Sequence, residues 1–419
     1  MKKIFTILSA AFLLGQIFAQ TVNDFRDSTS SGVLRRAISS STYPSGSIFL
    51  LNNSKTYDMI NGSNPTISKS FVVTGDISTS GKPTITIDST RSFTIATGGS
   101  IDSIKFVDVN IVGIKSKRGL DAAGGYLFNN GSNVVTLNKL IISNCNVSRL
   151  RGFFRIRTAG STLTSAYINN CIFDSVGGYN IVTAEDAKIS SIYIGNSTFV
   201  KSERLIRSTT ANSDNVTVEN CTFLQAPTSK NQLILYGTGT ITGTKTLSNC
   251  IFGPVWHLSS VVDTATIISP SATLGFTISN CYRTREINIL DSATSAITRY
   301  EKSCNEVFTD TSSITISSIN LKIKDQAFPG KFNCGDPRWY SGATTIIASS
   351  KNNSNLIVRN NELAFNDIVK KVEIYSINGR LIKSAKNVNQ LSTSYLPKGI
   401  YIVRITDKYD ILSTQKFIK

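Results

Sequence analysis

Six times between residues 142 and 282 the chain repeats one short pattern: an aliphatic residue, any residue, Asn, Cys or Ser, and usually Phe two places further on. The copies are Ile142-Ser143-Asn144-Cys145, Ile168-Asn169-Asn170-Cys171-Ile172-Phe173, Ile194-Gly195-Asn196-Ser197-Thr198-Phe199, Val218-Glu219-Asn220-Cys221-Thr222-Phe223, Leu247-Ser248-Asn249-Cys250-Ile251-Phe252 and Ile278-Ser279-Asn280-Cys281-Tyr282. Counted from Cys145, the steps are 26, 26, 24, 29 and 31 residues, with Asp108-Val109 as an earlier, degenerate copy. Segments of this length, rich in Ile, Val, Thr, Phe and Ser and without helical periodicity, suit one coil of a parallel β-helix better than a propeller blade or a helical repeat. Asn tolerates the left-handed backbone of a sharp bend. Asn144, Asn170, Asn196, Asn220, Asn249 and Asn280 are therefore expected at equivalent bends, with their amides stacked as a structural ladder. The Cys or Ser that follows is expected inside the coil as a small filler.

The start of the repeat reads Gly32-Val-Leu-Arg-Arg-Ala-Ile-Ser39, whose apolar residues fall at helical spacing and would cover the open end of a solenoid. Then come Gly46-Ser-Ile-Phe-Leu-Leu51, Ile67-Ser-Lys-Ser-Phe-Val-Val-Thr-Gly75 and Lys82-Pro-Thr-Ile-Thr-Ile87. This order resembles the opening of pectate-lyase-like right-handed β-helices over residues 27 to 290, a resemblance that speaks to fold rather than activity. The terminus Gly335-Asp-Pro-Arg-Trp339 resembles that of uncharacterised Bacteroidetes β-helix proteins associated with polysaccharide-utilisation systems. Asp336 and Arg338 are expected to play a structural part at the final turn, with Trp339 folded over the core. Cys304 and Cys334 fall outside the repeat, and a disulfide between them is left open.

Lys2 and Lys3 precede an apolar run from Ile4 to Phe18 closed by Ala19, the pattern of a removable leader too short for a stable membrane anchor. The mature chain is expected to start at Gln20, with no cysteine there to take a lipid. At the other end, Val372-Glu-Ile-Tyr-Ser-Ile-Asn-Gly-Arg380, Leu396-Pro-Lys-Gly-Ile-Tyr-Ile-Val-Arg-Ile405 and Gln415-Lys-Phe-Ile-Lys419 alternate apolar strands with hairpin turns. This module resembles the type A C-terminal sorting domain of the type IX secretion system. The resemblance implies recognition by that machinery after passage through the periplasm, and release or attachment at the outer cell surface. The expected fold is thus all-β, a right-handed parallel β-helix followed by a small antiparallel β-sandwich (Ig-like). The expected divisions are a signal peptide at 1–19, the helix with its cap at 20–339, a linker at 340–355 and the sorting domain at 356–419.

The full chain carries 44 Lys and Arg against 27 Asp and Glu, a net charge of +17. Residues 346–419 hold 12 basic and 5 acidic residues, so +7 of the +15 left once Lys2 and Lys3 leave with the leader, nearly half, belongs to the C-terminal module. His257 is the one histidine and no Cys-x-x-Cys pair occurs, which argues against zinc sites and serine-histidine triads. No metal ligand set and no catalytic residue is assigned. If Phe154 and Ile156 face inward, strand alternation turns Arg155 and Arg157 outward, and Arg204 and Arg207 follow about two coils later. Alignment on Gly125, Gly152 and Gly178 would turn Arg155 the other way, and both registers stay open. Guanidinium groups take carboxylate or sulfate bidentately, so such a stripe suits an acidic polysaccharide, with Tyr179, Tyr126, Phe153 or Tyr236 as sugar platforms. The plainer reading of these arginines is a solubilising, edge-protecting surface. A glycan-binding protein without catalysis is expected; the alternative is a divergent polysaccharide lyase or glycoside hydrolase. Only a lyase would call for calcium, and Asp174, Glu185, Asp186, Glu203 and Asp214 lie in the region where its ligands would have to be found. Nucleic acid is not an expected partner.

Overall fold

The computed structural model describes residues 21–28, 31–59, 64–76, 80–88, 92–114, 125–177, 180–257, 260–269, 274–290, 295–311, 316, 318–341, 356–359, 362–376, 380–397, 399–406 and 412–419. The leader, Tyr179, most of the linker and the Asn378-Gly379 turn lie outside them.

Three parallel sheets wind into a β-solenoid, and the central coils each give one strand to each sheet, while Thr66–Ile67 and Thr94–Ile95 of the first coils pair in a small sheet of their own. One coil runs Thr136–Ser143, Asn146–Leu150 and Gly152–Arg155 before Thr162–Asn169 starts the next. The first sheet has ten strands from Val22–Asp24 to Thr277–Ser279, the second ten from Thr56–Asp58 to Ile297–Arg299, and the third seven from Tyr126–Asn129 to Asn288–Ile289. The helix Val33–Ser39 closes the N-terminal end by burying Leu34, Ala37 and Ile38. Ahead of it, Val22–Asp24 pairs with Ser47–Leu51, a strand the sequence did not announce.

The bend between the first and second sheets is uniform. Asn144, Asn170, Asn196, Asn220, Asn249 and Asn280 all have φ between 48° and 55°, and Asp108 joins them at 57°. Their side chains link locally rather than in one unbroken file. Asn170 Nδ2 donates to Asn144 Oδ1 at 3.2 Å and Asn280 Nδ2 to Asn249 Oδ1 at 2.8 Å, whereas Asn196 Nδ2 reaches Asn169 Oδ1 at 2.9 Å. Backbone conformation is therefore the shared requirement. Alanine in this region costs about 1–2 kcal/mol, so Asn220→Ala is expected to lower unfolding free energy by about that much. Asn220→Gly should keep most of it, since glycine adopts φ > 0 without that penalty. Equal losses in a denaturant titration of the two variants would assign the role to the amide instead.

Behind each bend, Cys145, Cys171, Ser197, Cys221, Cys250 and Cys281 are buried, and all seven cysteines of the chain are free thiols, Cys304 and Cys334 included. Burial pushes the Cys304 and Cys334 thiols up from their usual range. Two residues further on, Phe173, Phe199, Phe223 and Phe252 stack face to face with centroids 5.1, 5.2 and 5.1 Å apart and ring planes within 12°. That spacing follows the separation of hydrogen-bonded strands, about 4.8 Å, so the rings ride the ladder itself.

A second bend was not legible beforehand. Arg149, Ser175, Lys201 and Gln225, each five residues after a bend asparagine, also have φ from 49° to 58° and turn the chain towards the third sheet.

After the last coil, the described residues of 303–311 and 318–341 lie as a belt over the outside of the second sheet. Cys304, Val307, Phe308, Leu321, Ile323, Phe328, Cys334 and Trp339 cover the outward-facing Ile172, Val200, Leu224 and Ile251. The Asp336 carboxylate accepts from Thr198 Oγ1 at 2.7 Å and pairs with the Arg338 guanidinium, which also donates to Cys171 O at 2.8 Å. Trp339 Nε1 donates to Thr198 Oγ1 at 2.7 Å, and Asp336 N to Thr222 Oγ1 at 2.9 Å. Asp336, Arg338 and Trp339 are thus structural, but they grip coils in the middle of the solenoid rather than its final turn.

The C-terminal module is an antiparallel sheet of five strands: Leu356–Arg359, Glu362–Ser376, Leu381–Ser392, Ile400–Thr406 and Leu412–Ile418. Its long strand Glu362–Ser376 pairs with three others, with a register shift between Ala364 and Val369. Leu363, Phe365, Val372, Ile374, Val403 and Ile405 form its core.

Candidate functional site

Described residues between 303 and 341 cover the outside of the second sheet around Ile172, Val200, Leu224 and Ile251, and the first and third sheets present side chains along the same coils. On the first, Tyr167 and Tyr193 stack at 4.9 Å beside Ile141, and Tyr193 Oη donates to Glu219 Oε1 at 2.8 Å. Gly195 leaves room for that ring, because a Cβ there would sit 2.4 Å from the Tyr193 hydroxyl. Sequence reasoning passed over this pair, although the 26-residue step from Tyr167 to Tyr193 was visible. Both rings are largely packed away, with Tyr167 only 4% exposed.

The third sheet holds the basic residues. Its inward column is Phe128, Phe154, Val182, Ile206, Ile234 and Ile268, all buried. The neighbouring column, paired strand to strand, reads Asn129, Arg155, Thr183, Arg207, Leu235 and Ser269. Arg155 and Arg207 are half-buried, and Thr183 between them is fully buried. Arg155 therefore faces outward, and of the two open registers the one with Phe154 inside is correct.

The arginines are held in place. Arg155 Nη2 and Nε lie 2.8 and 3.1 Å from Glu185 Oε1, and the Arg155 and Arg151 guanidiniums approach the Tyr126 ring at 5.6 and 5.9 Å. Pairing with a carboxylate and an aromatic face fixes a guanidinium that would otherwise sample many rotamers. Arg204 sits at the corner before the strand Ile206–Ser208, 3.4 Å from Glu203 and hydrogen-bonded to Asn231. Burial pushes its guanidinium down from the usual range, Glu203 opposes this and nearby Arg207 adds to it. Arg157 lies beyond the end of its strand, with Nε donating to Gly131 O at 2.9 Å. The structure therefore brings Arg155 and Arg207 into one column, places Arg204 beside it and leaves Arg157 outside it. Phe153 and Tyr236, considered as sugar platforms, are buried in the core, and Tyr126 is 6% exposed beneath its arginines. Tyr179 falls outside the described residues.

The acidic residues that a calcium-dependent lyase would need are dispersed among separate partners. Asp174 contacts Ser175, Glu185 pairs with Arg155, Asp186 accepts from Thr210, Glu203 pairs with Arg204, and Asp214 pairs with Lys188 at 3.0 Å. Hydrogen bonding from Lys188 holds the Asp214 carboxyl below its usual range. Among the described residues no three His, Cys, Asp or Glu side chains converge on a point that could hold a metal, so this set does not fit a cation. His257 is half-exposed, with Nε2 2.8 Å from Asp263 Oδ1.

A β-solenoid followed by an antiparallel C-terminal module defines a class of repeat protein, and comparison with known families says what the module does. Residues 352–419 match the secretion system C-terminal sorting domain, so this module is the sorting tail and the chain is exported, to the surface or beyond it. Residues 55–202 and 216–339 match two families described as domains of unknown function, DUF4957 and DUF5123. The second of these ends at Trp339, so it takes in the belt up to that residue. No curated protein and no solved structure matches the chain. Among the described residues no helix is long and apolar enough to cross a membrane.

Proposed function

We propose that the solenoid binds an acidic polysaccharide along the outer face of the third sheet and does not transform it. The observation that supports this reading is the register of Arg155, Thr183 and Arg207, which sets two guanidiniums in one column on strands two coils apart. Stacked coils repeat at a spacing commensurate with an extended sugar chain, and guanidinium forks match carboxylate and sulfate oxygens. Glu185 and Tyr126 hold Arg155 in position ahead of binding, which reduces the ordering cost of recognition. The sorting tail delivers this face to the outside of the cell, where such polymers occur.

Retention of the full chain on acidic glycans in affinity electrophoresis tests the reading. Arg155→Gln together with Arg207→Gln is expected to weaken retention by at least about a hundredfold, on the order of 1.4 kcal/mol for each lost charge-assisted contact. Unchanged binding by a variant with wild-type thermal stability would remove the site. Ultraviolet-absorbing unsaturated products, or new reducing ends, would show that the protein also cuts its ligand.

A further inference from the structure

We infer that the polymer held on this face bears its anionic groups on alternate sugars, as in a repeating disaccharide of one acidic and one neutral residue. The inference rests on the glycan-binding reading and adds the substrate class to it. Along the column the side chains read neutral, basic, neutral, basic, neutral, neutral: Asn129, Arg155, Thr183, Arg207, Leu235 and Ser269. Strands in a sheet lie about 4.8 Å apart, so Arg155 and Arg207 are separated by about 10 Å, and an extended pyranose chain advances by roughly one strand spacing per sugar. One guanidinium therefore meets every second sugar, that of Arg155 sharing its charge with Glu185.

The positions between are built against a charge. Thr183 is fully buried, and its hydroxyl already accepts from Asn180 Nδ2 at 3.2 Å. Leu235 offers only hydrocarbon. Because Thr183 is covered, its hydroxyl cannot reach a ligand, so a polymer charged on every sugar would set one carboxylate over the gap between Arg155 and Arg207 and another over Leu235, where neither gains a partner. A polymer with neutral sugars at those places meets no such cost, and its ring faces suit the aliphatic side chain of Leu235. The preference is thus set as much by the two uncharged coils as by the two charged ones.

The test compares two polymers on the full chain at matched carboxylate number and ionic strength. One is hyaluronan, with glucuronate on alternate sugars, and the other is polygalacturonate, with a carboxylate on each. Hyaluronan is expected to bind at least about tenfold more tightly. Leu235→Arg, which sets a cation one coil from Arg207, is expected to close most of that gap by strengthening polygalacturonate binding. Equal or tighter binding of polygalacturonate to the unaltered chain, or a gap unmoved by Leu235→Arg, overturns the alternation while leaving glycan binding intact. Retention of neither polymer discards the binding reading and the alternation together.

Discussion

Phe223→Ala is expected to cost about 3–5 kcal/mol of unfolding free energy, because it removes a fully buried ring from the middle of a four-ring stack. Its neighbours Phe199 and Phe252 are fixed by strand pairing on either side and cannot close a gap of one coil. The vacated space therefore remains a cavity, the condition under which large-to-small changes are most damaging. Phe223→Leu keeps more of the volume and should lose well under half as much. Denaturant titration distinguishes the two outcomes. A loss below about 1 kcal/mol for alanine would mean that the stack is a passenger on the backbone ladder rather than a support for it.

Asp336→Ala is expected to lower stability by roughly 3 kcal/mol and to open residues 303–341 to protease. The Asp336 side chain is fully buried, and its loss strands the Arg338 guanidinium and the Thr198 hydroxyl that it receives. Because Arg338 is 23% exposed, water can reach it, and the expected loss falls at the lower end for a broken buried pair. Limited proteolysis should cut the belt first and leave the coils whole, since their core is separate from the cluster beneath the belt. Simultaneous loss of belt and coils would show instead that the two melt as one unit.

The coil repeat was readable because asparagine is one of the few residues that enter the left-handed region readily, so the first bend leaves a mark in the sequence. The second bend leaves none: Arg149, Ser175, Lys201 and Gln225 share a conformation but no chemistry. The inward Phe154 and outward Arg155 were one of two registers that alternation within the strand left open. The pairing of Arg155 with Glu185 was not legible, because it links neighbouring coils across turns of unequal length. Asp336, Arg338 and Trp339 were readable as structural. Their destination was not, since it depends on contacts as distant as the 167 residues between Arg338 and Cys171. Cys304 and Cys334 illustrate the same limit: both fall outside the repeat, which left a bond between them open, and the fold keeps both as thiols.

The belt also imposes an order of events. Strands pair with neighbours only one coil away, so a chain threading outward from its amino end can wind progressively behind the helix Val33–Ser39. The clasp formed by Asp336, Arg338 and Trp339 cannot fasten until the coils around Cys171, Thr198 and Thr222 are in place and the following hundred or so residues have emerged. Until then the oily strip of Ile172, Val200, Leu224 and Ile251 stands bare, and the half-wound molecule is at its stickiest just before it is finished.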